Sequence, residues 1–159
     1  MILQIWSFDP GLTTGWRQIN VFDGEIGNSD GGQADHFQIG NFLSESQVLR
    51  QAARNPAVDV QIVIEKFTMS PAKSQEPWSL ETTGLIKYFA SKYAAPVSMY
   101  RPSEWKPLIK DEVIKRSGLW IPGKRHMMDA TGIALYYLVK ERKMNWILSK
   151  PKDMGTKYG

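Results

Sequence analysis

Four side chains able to hold a divalent cation stand in three separate stretches of this sequence. Asp9 closes the run Ile2-Leu3-Gln4-Ile5-Trp6-Ser7-Phe8, and Glu65 closes Val60-Gln61-Ile62-Val63-Ile64. His126 and Asp129 open a stretch of helical spacing, His126-Met127-Met128-Asp129-Ala130. An acid at the exit of a buried strand is poorly placed for stability, because a desolvated carboxylate needs a partner charge. A metal ion is such a partner. Two strand-borne carboxylates that meet a third group from a helix can hold the ions that cut a phosphodiester. Residues three apart share one helical face, so His126 and Asp129 can reach a single site. Taken alone, Asp129 reads more simply as an early-turn acid complementing the helix dipole, and His126 as a surface residue. Their pairing with two strand-terminal acids favours the metal site.

Such a site needs elements to position it. Residues 3–8 are nearly all apolar, which suits a central strand buried on both faces. Asp9-Pro10-Gly11 is a turn into a second strand over 16–22, and Asp23-Gly24 marks a hairpin. A third strand follows near 25–28 or near 33–39, its register blurred by the glycine-rich stretch 27–32. Helical spacing covers 41–55, and 60–64 is another buried strand. A polar loop over 66–77 leads to a helix over 78–93, which Pro96 stops. A short strand follows over 97–100. Helical segments are expected from Pro102 to about Ile109, over 111–117, and from about Arg125 to Arg142. A hairpin meander followed by alternating helix and strand gives an α/β fold, a mixed five-stranded sheet flanked by helices. The expected organisation is one nuclease-like domain over 1–143 and a basic tail over 144–159.

Length and composition agree. A chain of 159 residues is long enough for one substantial core. It has no cysteine, so any metal must be held by oxygen and imidazole ligands, and a reducing cytoplasm is compatible. No apolar run approaches the ~20 residues of a membrane span. The N-terminal apolar stretch is short, lacks a basic preface and does not read as a signal peptide. Charge is unevenly placed. Residues 1–100 carry seven Lys+Arg against ten Asp+Glu, and residues 101–159 carry thirteen against six. Acids gathered in the centre with bases around them suit a polyanionic substrate.

These residues resemble the RuvC-type Holliday junction resolvases of the RNase H-like superfamily. Asp9-Pro10-Gly11-Leu12 with Thr14-Gly15 is similar to that family's opening signature, and Ile64-Glu65-Lys66-Phe67 to its second acidic strand. Pro102-Ser103-Glu104-Trp105-Lys106 resembles the segment whose lysine faces DNA, and His126 through Ala130 the final acidic helix. The likeness runs from about Met1 to Leu138. It departs at Glu81-Thr82-Thr83-Gly84, where cellular members carry an Arg-Gly pair, and in the short stretch between Lys106 and His126. Compact divergent members of this kind are familiar from bacteriophages, so a phage origin is expected.

The resemblance implies a crossover junction endodeoxyribonuclease that nicks four-way junctions in pairs, by two-metal-ion hydrolysis. Asp9, Glu65, His126 and Asp129 would hold two Mg²⁺ ions, and the imidazole also suits Mn²⁺. Lys106 is the first candidate for a phosphate contact, followed by Lys66, Lys73 and Lys110, with Lys115, Lys124 and Arg125 weaker. Phe67 could wedge into an opened branch point, whereas Trp78 reads better as core. A homodimer joined through Leu80, Gly84, Leu85, Tyr88 and Phe89 would match the junction's two-fold axis. Two other readings stay open: a broad flap or fork endonuclease, and a non-catalytic nucleic-acid-binding module of the same fold.

Overall fold

The computed structural model describes residues 1–68 and 77–149. Lys73, Lys150 and Lys152 lie outside the described residues. β1 (Ile2–Asp9), β2 (Thr13–Phe22) and β3 (Glu25–Asp35) form an antiparallel meander. β4 (Val58–Glu65) and β5 (Val97–Tyr100) add in parallel on the other side of β1. The sheet order is β3-β2-β1-β4-β5, a mixed five-stranded sheet as expected. β1 is thus the middle strand, and Ile5, Trp6, Ser7 and Phe8 are all buried.

Helices cover both faces. On one lie α1 (Ile39–Glu45), α2 (Gln47–Arg54) and α3 (Trp78–Lys92), packed over Trp6, Phe8, Ile62 and Ile64. On the other lies α6 (Arg125–Arg142), over Ile5, Ile19 and Val63. Outside α6 sit α4 (Pro102–Trp105) and α5 (Asp111–Arg116), which is why α6 is apolar nearly all round. The chain then turns at Lys143, in the left-handed region, into a one-turn 3-10 helix, Asn145–Leu148. Met144 and Ile147 of that segment are buried against the same core.

Several boundaries differ from the sequence reading. The third strand is one continuous element through the glycine-rich stretch, rather than either short alternative. The single helix expected over 41–55 is two, because Ser46 is extended and its side chain accepts the Leu49 N–H. The helix expected from Pro102 to Ile109 stops at Trp105. Pro107 has no N–H to continue the ladder.

Candidate metal centre and nucleic-acid interface

β1 and β4 run parallel with Phe8 opposite Ile64, so Asp9 and Glu65 occupy the next rung at the same end of the sheet. The helix brings the other two. α6 is fixed to the sheet at three points. Ser7 Oγ donates to the Ala130 carbonyl at 2.6 Å. The side-chain oxygen of Gln33, from β3, accepts the His126 and Met127 N–H groups at 3.1 and 3.3 Å. α6 has no cap from its own preceding residue, so Gln33 satisfies two of its free N–H groups. Gly15, paired with Asp9 across β1 and β2, lies directly under the helix backbone. A Cβ there would fall 1.9 Å from the His126 carbonyl oxygen. Only a residue without a side chain lets the first turn of α6 come down on the strand that carries Asp9.

With α6 so seated, His126 Nδ1 lies 3.0 Å from Asp9 Oδ2. Asp129 is half-buried between two cations, Lys106 Nζ at 3.9 Å and Arg125 Nε at 4.0 Å. Glu65 Oε2 accepts the indole N–H of Trp105 at 2.8 Å. Burial pushes Glu65 up to about 7, with the charges of Asp9 and Asp129 adding and the Trp105 hydrogen bond opposing. Burial likewise holds Asp9 above the ordinary carboxylate range; the His126 hydrogen bond works against it and the Asp129 charge with it. The three carboxylates therefore feel one another. Buried acids that also repel one another would gain from a cation placed between them.

That observation tests whether divalent cations suit these residues. Oxygen donors with one imidazole match Mg²⁺ or Mn²⁺ in type. Two of the three acids are desolvated, and neither has Lys or Arg within ion-pair distance among the described residues. Among the described residues no three His, Asp or Glu side chains are already closed around an ion-sized space. The cluster is open, and its donor chemistry fits.

Beside Asp129 a cleft of about 350 Å³ is lined by Trp105, Lys106, Lys110, Asp111, Arg125 and Asp129, among others. Lys106 and Lys110 thus face the acids from the segment joining β5 to α5. Arg125 holds the opposite wall: Nη2 is 3.0 Å from Asp111 Oδ1, and its guanidinium lies 5.7 Å from the Trp120 ring centre. Lys66 is exposed immediately after Glu65, and Phe67 is half-buried. Trp78 is half-buried and packs with the His36 and Phe37 rings. Of the proposed dimer contacts, Phe89 is buried in the core of its own chain.

Sequence reasoning missed Gln33, Gly15 as a seat for the helix, and Trp105 as the partner of Glu65. The Thr14-Gly15 pair was visible, but its role depends on a helix more than a hundred residues away.

The sheet order, the parallel pair carrying the acids and the crossing helix define an RNase H-like α/β fold. Among solved structures, the chain is similar to Thermus thermophilus RuvC, with a TM-score of 0.64 and 18% identity. That match covers 90% of this chain and 96% of the other. It is also similar to T. thermophilus RuvC in complex with Holliday junction substrate, with a TM-score of 0.61, 17% identity and the same coverage. The protein has a RuvC-like fold. No protein-family model matches the chain. No curated protein sequence matches it. Among the described residues no helix is long and apolar enough to cross a membrane.

Proposed function

We propose that this protein is a metal-dependent endodeoxyribonuclease that cuts branched DNA, with four-way junctions as its principal substrate. The observation that carries the reading is the meeting of Asp9, Glu65 and Asp129 at one sheet end, with His126 on Asp9 and Glu65 pushed up to about 7. The RuvC-like fold supports it, and one neighbour of that fold was solved on a Holliday junction.

In this reading Asp9, Glu65, Asp129 and His126 hold divalent cations, Mg²⁺ or Mn²⁺. Bound there, the ions supply Lewis-acid activation of water and stabilise charge on the leaving oxygen. The protein's own side chains do the rest. Trp105 fixes the Glu65 carboxylate by donating its indole N–H to Oε2. Lys106 and Arg125 flank Asp129 and hold it in place. Lys106, Lys110 and Arg125 line the cleft through which a phosphate backbone would approach. Lys66 and Phe67 leave β4 at the same end and would meet the strand from the other side.

A junction offers two equivalent strands, and a C₂ dimer would present two sites together. α3 supports such a contact: Leu80, Gly84 and Tyr88 lie one turn apart and all are exposed. The experiment that tests the function uses end-labelled four-way junctions, flaps, forks and plain duplexes, with Mg²⁺, Mn²⁺ or EDTA. The reading expects metal-dependent nicks near the branch of the junction. Cutting of flaps or forks alone would favour the broader nuclease. No cutting of any substrate, with intact DNA binding, would favour the non-catalytic module.

A further inference from the structure

A group of rings stands at the acidic end of the sheet that the proposed chemistry does not use. β3 ends at Asp35, opposite Thr13 of β2, so His36 and Phe37 leave the sheet at the same end as Asp9. The His36 N–H donates to the Leu12 carbonyl at 2.8 Å. Leu12 is three residues from Asp9, so their Cα atoms are at most ~11 Å apart. Phe37 is 80% exposed and Leu12 54%. The His36 ring lies 4.5 Å from Trp78 and 5.5 Å from Phe37, and Phe37 lies 6.5 Å from Trp78. Ser79, next to Trp78, approaches the Gly11 turn.

The charged groups of this patch are engaged with one another. His36 Nε2 lies 3.0 Å from Glu81 Oε2, and His36 Nδ1 lies 3.4 Å from Thr82 Oγ1. Asp35 Oδ1 accepts the Phe37 and Gln38 N–H groups, each at 2.9 Å. Among the described residues neither Lys nor Arg takes part in these contacts, so their chemistry suits an uncharged flat ring better than a phosphate. The cationic cleft of Lys106, Lys110 and Arg125 lies between the α4–α5 segment and the first turns of α6, beside Asp129.

We infer that Phe37, beside Trp78, is a stacking surface for an unpaired nucleobase beside the cut strand. This deepens the proposed function and rests on it. A strand opened at a branch would have its phosphates in the basic cleft and its base against Phe37. Aromatic stacking of a base needs no sequence match and no counter-charge. The surface differs from Phe67, which follows Glu65 and is half-buried.

The test is photocrosslinking with 5-iododeoxyuridine placed at unpaired positions beside the branch of a fork and of a four-way junction. It is done in EDTA, with mapping of the crosslinked peptide. The expected attachment is to Phe37 or Trp78, lost in Phe37→Ala. Phe37→Ala should also weaken fork and junction binding roughly tenfold or more, while duplex binding and the salt slope stay unchanged. Phe37→Leu, which keeps apolar bulk, should restore only part. Crosslinks elsewhere, wild-type affinity in Phe37→Ala, an equal loss on duplex, or a change in self-association instead would each overturn the inference. Normal metal-dependent cutting with an inert Phe37 would sink this inference alone. A protein that neither binds nor cuts branched DNA would sink the functional reading as well.

Discussion

Trp105 holds Glu65, and Gly132 makes room for Trp105. The indole N–H meets Glu65 Oε2 at 2.8 Å, and a Cβ on Gly132 would fall 2.3 Å from the indole ring. The pair ties the second acidic strand to the middle of α6, one turn beyond Asp129. Trp105→Phe removes the donor and also leaves a gap where the buried indole packs over Gly132. It should lower cleavage by about tenfold or more and cost about 1–3 kcal/mol of stability. Gly132→Ala forces a methyl into a rigid ring and should cost about 1–3 kcal/mol. Thermal unfolding alongside cleavage assays separates the two.

The pH dependence of stability follows from Glu65. Its folded value, about 7, lies above the ordinary 4.5 of an exposed glutamate, so between these the folded state holds the proton more tightly. Stability of the metal-free protein should therefore fall as pH rises from about 4.5 to 7, and level off above. Asp9 is shifted in the same direction and adds to the slope. Melting temperatures in EDTA across this range should show the decline, and Glu65→Gln should flatten it. Mn²⁺ or Mg²⁺ added above pH 7 should raise the melting temperature of the wild type, because binding to the folded form stabilises it. A flat profile would remove the charge strain from the site.

Lys106 and Arg125 make separable predictions. Lys106→Ala should weaken binding to all DNA and reduce the salt slope by ~1 per lost phosphate contact. Arg125 is tied to Asp111 and Asp129, so Arg125→Ala should lower cleavage more than binding. Titrations at several salt concentrations, set beside single-turnover rates, test both. Equal salt slopes for wild type and Lys106→Ala would place that lysine away from DNA.

Self-association tests the α3 surface. Tyr88 is 62% and Leu80 48% exposed, and adding a side chain at Gly84 meets no atom within 4 Å. Sedimentation at micromolar concentration should show a dimer, with or without a junction, that Tyr88→Lys or Gly84→Arg dissociates. A protein that stays monomeric on a junction would point to a flap or fork nuclease.

The sequence carried the sheet and the acids further than it carried their supports. Asp9 and Glu65 stood out because each ends an apolar run, and α6 stood out by its helical spacing from His126 onward. β3 was ambiguous because its small and polar residues over 27–32 show no clean alternation. The split at Ser46 was hidden by continuous helical spacing, since one extended residue barely disturbs the pattern. Gln33, Gly15, Trp105 and Gly132 were illegible as a set, because each acts through a contact made only after folding.

The most direct measurement of the central claim is single-turnover cleavage of an end-labelled four-way junction in Mg²⁺ and in Mn²⁺. Wild type is compared with Asp9→Asn, Glu65→Gln and Asp129→Asn, with binding measured on the same DNA in EDTA. Each variant should lose cleavage by at least ~100-fold, as expected for a group that stabilises charge in the transition state. Binding should stay near wild type, because Lys106, Lys110 and Arg125 are untouched. His126→Asp should lose less and shift the preference toward Mg²⁺. Near-wild-type cleavage by any of the three carboxylate variants, in folded form, would contradict the account.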